Sequence, residues 1–473
     1  MAAPADPDAL VDQVIIGFGS DADRDEFLRF AAANGLSVVS QIAQLNAALV
    51  TGKNVGLVWT WLRSHPKSTV ANNYPVYAPP APKTQRMAGM AAFGKTGPAF
   101  LGAPLDRRGL GAGVKVAVLD TRVETHPMLN DTAITRTDLF QFAPIGKVAS
   151  NEHGTAVAAI IAGRDGMAPD AAILSYNVMS AEGLGDSFSV SRGIIQAVVD
   201  GAQVINLSVG GHNYSKLLET AINYAIEHGV AVVASTGNDG TMQVAYPAQY
   251  PGVIAVAGVD ANGQVPSFSN SGSQVALAAP AVGVTTAGAD GQMQSFSGTS
   301  AAAPFVSGAI AAVLSENPGL SARQAADLLL TYANDTGAPG LDDDSGAGVI
   351  DLERIRRRND PTFTDVALAG IWLNPEYSKD GTVAVVMTVQ NQGNQPLAFT
   401  RMEVTVEGHS PRVYQTGSLR PGAVWSETLW LPISAIQQPE GLRLYAQAFS
   451  GHAGDSRPAN DRGTLRLLLP KKP

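Results

Sequence analysis

The chain has no cysteine. That excludes a disulfide framework, a thiol nucleophile and any cysteine-ligated zinc or iron–sulfur site, but it does not fix a compartment. Charge is scarce: 15% of the 473 residues are charged, against about 25% in an average domain. With 45% hydrophobic residues, so little charge excludes a disordered chain. The formal net charge is −9, and the main basic cluster is the short run Arg354–Arg358. A phosphate binder needs more clustered Lys and Arg than that, so nucleic acid is not an expected partner. No apolar run reaches the roughly 20 residues of a membrane span. The nearest, Ala301–Leu314, is interrupted by Pro304, Ser307 and Gly308. The first residues show no basic segment followed by an apolar one, so no secretion signal is expected in this sequence. What the chain has in quantity is glycine (49) and proline (29), which points to many turns around compact elements.

The length allows about three domains at roughly 100–200 residues each, and three blocks separate by pattern. In residues 1–78 the order of expected elements is β-α-β-β-α-β, a small ferredoxin-like sandwich. Its helices are a capped segment from Ser20 and a stripe of Val55, Val58, Trp59 and Leu62, and its final strand is Ser68–Tyr77. Residues 79–99 are rich in Ala, Pro, Gly and Met and read as an exposed linker. Residues 100–358 alternate Val/Ile-rich strands (Val114–Asp120, Ala171–Val178, Gln203–Val209, Val230–Ser235, Val253–Val259) with helices. That is an α/β domain built on a mostly parallel sheet buried on both faces. Residues 359–473 show recurring short strands and no helix, which suggests an all-β, immunoglobulin-like sandwich of about seven strands.

The chemistry lies in the middle block. Asp120 ends a buried strand, His153 opens a helix in Asn151-Glu152-His153-Gly154-Thr155, and Ser300 opens another in Gly298-Thr299-Ser300-Ala301. Singly, each has an ordinary structural use as turn, cap or core residue. Together at the carboxyl ends of parallel strands they supply a nucleophile, its general base and the group that orients the base.

These segments resemble the subtilisin-like serine proteases (subtilases), over roughly Gly111 to Ile355. The resemblance includes Gly166-Met167-Ala168-Pro169, Val204–Gly211 and Ser235-Thr236-Gly237-Asn238-Asp239-Gly240, and the order Asp, His, Ser is subtilisin's. It implies a serine endopeptidase with triad Asp120, His153 and Ser300 and with Asn238 as oxyanion donor. It also implies a substrate strand lying between Ser208-Val209-Gly210 and Gly183-Leu184-Gly185, with Thr236 bordering a pocket. Several positions depart from the family: Arg122 stands where Gly is usual, Ala156 where His is, Ala159 where Gly is, and Ala302 and Phe305 where Met and His are common.

The first block resembles the subtilase propeptide, an inhibitor-type prodomain. Tyr74 to Pro79 would then lie in the cleft as a product-like inhibitor, and maturation would cut between Ala78 and Ala99. The third block resembles a bacterial cell-adhesion-related (CARDB-like) sandwich, through Val389–Asn394, Leu419-Arg420-Pro421-Gly422 and Asn460. The expected partners are protein or peptide substrates and the chain's own prodomain. No cofactor is expected for catalysis. Structural calcium is compatible with the family, and the acidic clusters are Asp342-Asp343-Asp344 and Asp455 with Asp461, neither of which has EF-hand spacing. The family points to a secreted, periplasmic or cell-surface protein, with the cytoplasm as the alternative. Two other readings remain open: a catalytically weak binding or adhesion protein that uses the protease fold as a scaffold, and a processing protease dedicated to one partner.

Overall fold

The computed structural model describes residues 6–467, apart from 88, 141–151, 380, 438–440 and 452–453. Asn151 and the last two residues of a strand expected over Thr464–Leu469 therefore lie outside the described residues.

In the N-terminal block, Ser20 caps the helix Asp21–Ala33 by accepting from the Asp23 amide. Four strands form an antiparallel sheet in the order Ser37–Ile42, Ala47–Thr51, Gln13–Gly17, Thr69–Asn72. This is the expected β-α-β-β-α-β layout, with two differences. The second helix begins only at Leu57 and buries Val58 and Trp61. Trp61, not Trp59, faces the core, because it packs edge-on against Phe27 with ring centroids 5.0 Å apart. The expected last strand breaks in two at Asn73–Tyr74. Thr69–Asn72 stays in this sheet, whereas Pro75–Tyr77 leaves it to pair with Leu184–Asp186 in the next block.

The middle block is a seven-stranded sheet, ordered Val275–Pro280, Ile254–Val259, Ala231–Ser235, Val204–Leu207, Lys115–Asp120, Ala172–Asn177, Ile134–Asp138. Every neighbouring pair is parallel. The five strands expected from Val/Ile runs are its centre, where helices cover both faces; the two unexpected strands are its edges. From Lys115–Asp120 the chain moves to one side of the sheet, then returns to build the other. The crevice beyond the carboxyl ends of Lys115–Asp120 and Val204–Leu207 is thus the switch point at which such sheets carry their sites. Thr299–Glu316 is the one described helix long and apolar enough to cross a membrane. Here it is the buried central helix, packed against the sheet and against the helix His153–Ala162.

Part of the expected exposed linker is packed. Phe93 is buried and its amide donates to Val282 O, Gly94 bridges to Val284, and Gly97 and Pro98 are buried against the middle block. Small and proline-rich sequence hid this, because the partners lie far along the chain.

Among the described residues, the C-terminal block is a sandwich of a three-stranded and a four-stranded sheet with one short helix, Ile433–Ile436. Val385, Met387, Val389, Met402, Val404 and Leu444 fill the space between the sheets. Trp372 and Trp425 are half-buried, and Trp430 is exposed. The basic run Arg354–Arg358 is consumed internally. Arg354 is buried and donates to the carbonyls of Ala333, Tyr332 and Gln392, while Arg356 pairs with Glu316 and Arg357 with Asp360.

Candidate active site

Asp120 ends the central strand and is fully buried. Its Oδ1 accepts from Thr121 N at 2.7 Å, and His153 Nδ1 lies 2.8 and 2.9 Å from the two carboxylate oxygens. An ionised carboxylate only accepts, so Nδ1 carries the hydrogen and Nε2 is left as the basic nitrogen. The local sequence explains this placement. Gly154 N donates to Thr121 Oγ1 at 2.9 Å, and a Cβ on Gly154 would sit 2.2 Å from Thr121 O. The residue after His153 must therefore be glycine for the helix to start so close to the Asp120 strand. Glu124 N donates to Thr155 Oγ1 at 2.9 Å, and the Phe296 ring meets the imidazole edge-on at 5.3 Å.

Ser300 stands in the first turn of Thr299–Glu316. Pro304, four residues on, has no N–H to give to Ser300 O. That carbonyl instead accepts from Ser208 Oγ at 3.0 Å. Asn206 Nδ2 donates to Ser208 Oγ at 3.0 Å, and Ser307 Oγ donates to Asn206 Oδ1 at 2.8 Å. This buried polar chain ties the start of the serine helix to the end of the neighbouring strand. Ser300 Oγ itself lies 3.5 Å from Ser208 O.

Asn238 is oriented from behind. Its Oδ1 accepts from Thr299 N at 2.9 Å and Thr299 Oγ1 at 3.0 Å, so its amide nitrogen faces the cleft and donates to Pro80 O at 3.2 Å. Gly298 is at φ 129°, and a Cβ there would lie 2.7 Å from Asn238 Nδ2. Asn270 Oδ1, accepting from Asp239 N at 2.9 Å, braces the loop on its other side.

The structure brings most of the expected substrate-binding residues against the segment 75–78. Val76 is paired with Gly185 and Tyr77 with Leu184. Tyr77 N donates to Gly210 O and Gly210 N to Tyr77 O, both at 2.8 Å, and Ala78 N donates to Gly183 O at 2.8 Å. Pro79 and Pro80 have no amide hydrogen, so the donor series from this strand stops at Ala78. Ser208 serves the serine helix as described. Val209 and Thr236 are fully buried, and Thr236 bonds through its backbone to Val256 and Ala245.

Three features had no sequence signal. Asn73 is buried between the blocks: its Nδ2 donates to Asp186 Oδ1 at 3.0 Å, and its Oδ1 accepts from Ser187 Oγ and Phe188 N. It thereby shares the cap of the helix Ser187–Val199 with Asp186, whose carboxyl burial pushes up. Arg86 donates to Asp239 O at 2.6 Å. His212 meets Tyr77 across the cleft. Only a marker of long-range pairing would have found these.

The departures from the family are accommodated. Arg122 pairs with Asp138 at 3.1 Å, Ala156 is buried with its carbonyl accepting from Thr286, and Phe305 is buried against Gly97. Asp342 is spent on a turn, accepting from Asp344 N and Ser345 N. Among the described residues, Asp365, Asp455 and Asp461 offer oxygens within 4.8 Å of one another. Asp365 is already taken up by Arg457 and Asn460, so neither acidic cluster is assigned a metal.

The model of the subtilase family (peptidase S8) matches residues 111–348, half of the chain. Subtilisin BL of Lederbergia lenta is 38% identical over 257 residues, covering 53% of this chain and 93% of that protein. An alkaline protease of Shouchella clausii is 38% identical over 257 residues, 66% of its length. Fervidolysin of Fervidobacterium pennivorans, a keratinolytic enzyme related to subtilisin, superposes with a TM-score of 0.64 at 24% identity, over 94% of this chain and 72% of that one. At that identity the likeness speaks for the fold alone.

Proposed function

The chain belongs to the subtilase family and is a subtilisin-like serine endopeptidase, and from that premise we propose that Asp120, His153 and Ser300 are its triad and that it is made as a self-inhibited precursor. The observation that carries this is the His153 Nδ1 contact with both oxygens of buried Asp120, in a cleft where the Asn238 amide already donates to a peptide carbonyl. Ser300 Oγ attacks the scissile carbonyl carbon while His153 Nε2 takes its proton. Asp120 keeps the tautomer and stabilises the imidazolium. Asn238 Nδ2 and the Ser300 amide donate to the developing oxyanion. The C–N bond breaks as His153 passes the proton to the leaving amine, and water then releases the acyl group by the same steps.

Residues 1–78 act in this reading as the inhibitory prodomain. Pairing of 75–78 with Gly183, Gly185 and Gly210 is strand addition to a cleft edge, in which backbone bonds give affinity. The Asn238 contact to Pro80 O supports Pro80–Ala81 as the processing bond. The C-terminal sandwich, residues 359–473, is a fixed appendage, supported by its buried ionic joint to the catalytic block. A secreted or cell-surface setting goes with the same reading.

The test compares wild type and Ser300→Ala by intact mass spectrometry with a serine-reactive phosphonate. Expected are a cut within 78–99 and labelling at Ser300, both in wild type only. An uncut, unlabelled wild type would remove the proposal and favour a binding protein on a protease scaffold. A cut in both proteins would mean that another protease does the processing.

A further inference from the structure

Tyr77 is the residue of the bound segment that faces Gly210, with both of its backbone hydrogen bonds made. A strand residue held on both sides has a fixed side-chain direction. Its ring lies alongside Gly210, where a Cβ would be in ordinary contact, 4.0 Å, with Tyr77 Cε2. The ring ends at His212, an otherwise exposed side chain two residues beyond Gly210. Tyr77 Oη lies 2.5 Å from His212 Nε2, and the two ring centroids are 5.6 Å apart at 53°. Burial, with the charge of Asp239 adding to it, pushes the Tyr77 phenol up to about 12. The phenol thus stays protonated, and it donates to His212 in the tautomer whose hydrogen is on Nδ1.

We propose that His212 is a specificity-determining residue, which with Gly210 forms a subsite for a tyrosine side chain at the substrate position that pairs with Gly210. The inference rests on the reading that substrates follow the path of residues 75–78. Aromatic contact alone would take phenylalanine as readily; the acceptor nitrogen distinguishes the phenol. Because the site is open to water, the discrimination is modest: one hydrogen bond of ordinary net strength corresponds to about 3- to 10-fold.

The experiment uses the full chain, allowed to process itself, as wild type, His212→Ala and His212→Gln. Each is given, in one tube, three peptides that carry residues 73–78 followed by a randomised stretch, with Tyr, Phe or Ala in the place of residue 77. Cleavage of each is followed by mass spectrometry. The competition ratio does not depend on how much enzyme is folded. Expected in wild type is a Tyr-over-Phe preference of about 3- to 10-fold. It should fall to near one in His212→Ala and be partly restored in His212→Gln, whose side-chain oxygen also accepts. A wild-type ratio near one, or an unchanged ratio in His212→Ala, overturns the subsite. A wild type that digests casein but none of the three peptides overturns it as well, by showing that substrates take another path. A wild type that digests nothing and takes no phosphonate removes the endopeptidase mechanism itself.

Discussion

The catalytic block meets its two neighbours in opposite chemical styles. Toward the N-terminal block the joint is made of backbone hydrogen bonds from 75–78 and the hydrogen bonds of the Asn73 side chain to Asp186, Ser187 and Phe188. Toward the C-terminal sandwich it is ionic and buried. Arg457 of the sandwich donates to Asp351 of the catalytic block at 2.5 Å, to Asp365 at 2.6 Å and to Gln392 at 2.6 Å. Arg354 crosses the other way to Gln392 O at 3.0 Å. Water can replace backbone bonds as a strand leaves a cleft, so the first joint separates at modest cost. Parting Arg457 from Asp351 would strand charges in a region that solvates them poorly. The first joint suits the departure required of the proposed inhibitor, and the second suits the proposed fixed appendage.

The largest expected effect that tests this contrast is at the ionic joint. Arg457→Ala leaves Asp351 and Asp365 buried without their cation, and should cost about 3–5 kcal/mol, read as a lower thermal midpoint or a separate early transition. An unchanged melting curve would show that the joint is not what holds the sandwich. Next comes the donor in the cleft: Asn238→Ala should lower kcat by about 10²–10³ and slow self-processing in parallel, measured on a peptide substrate and by precursor mass. Asn73→Ala leaves Asp186 and the Phe188 amide short of a partner. It should weaken the first joint by about 1–3 kcal/mol, so that the cut N-terminal fragment no longer co-elutes with the rest in gel filtration. Retained co-elution would place the grip in the 75–78 pairing alone.

A further test lies in the pH dependence at the second joint. Asp335 is buried beside Gln390, and burial pushes its carboxyl up to about 7, against about 3.9 in the unfolded chain. Between those values the folded state keeps a proton that the unfolded state has released. Asp335 therefore lowers stability progressively as pH rises from about 4 to about 7, with the full loss present above that. Asp335→Asn should flatten this part of the profile, seen as a smaller drop in melting temperature between pH 5 and 7.5. Asp461, also pushed up to about 7, contributes a slope of the same sign that this variant leaves in place.

How much of this was legible depended on how local each feature is. The five central strands show in Val and Ile runs because both of their faces are buried. The edge strand Ile134–Asp138 does not show, because one side lies open and its sequence is Ile-Thr-Arg-Thr-Asp. Leu184–Asp186 pairs along its length with Pro75–Tyr77, a partner far away in the chain. Arg354–Arg358 stands out in the sequence only as the main basic cluster, yet Arg354 is buried under carbonyl oxygens.

The sequence by itself marked out the proposed reacting groups and the small residues beside them. Asp120-Thr121, His153-Gly154 and Gly298-Thr299-Ser300 stand out as short segments, and the structure supplies the reason for their glycines, since a Cβ on Gly154 would strike Thr121 O and one on Gly298 would strike Asn238 Nδ2. Only the tertiary structure decided which segment fills the cleft, that Tyr77 meets Gly210 and His212, and that Arg457 reaches Asp351. Those pairings join residues far apart in the chain. They are selected by the packing of whole blocks, and no local propensity records that.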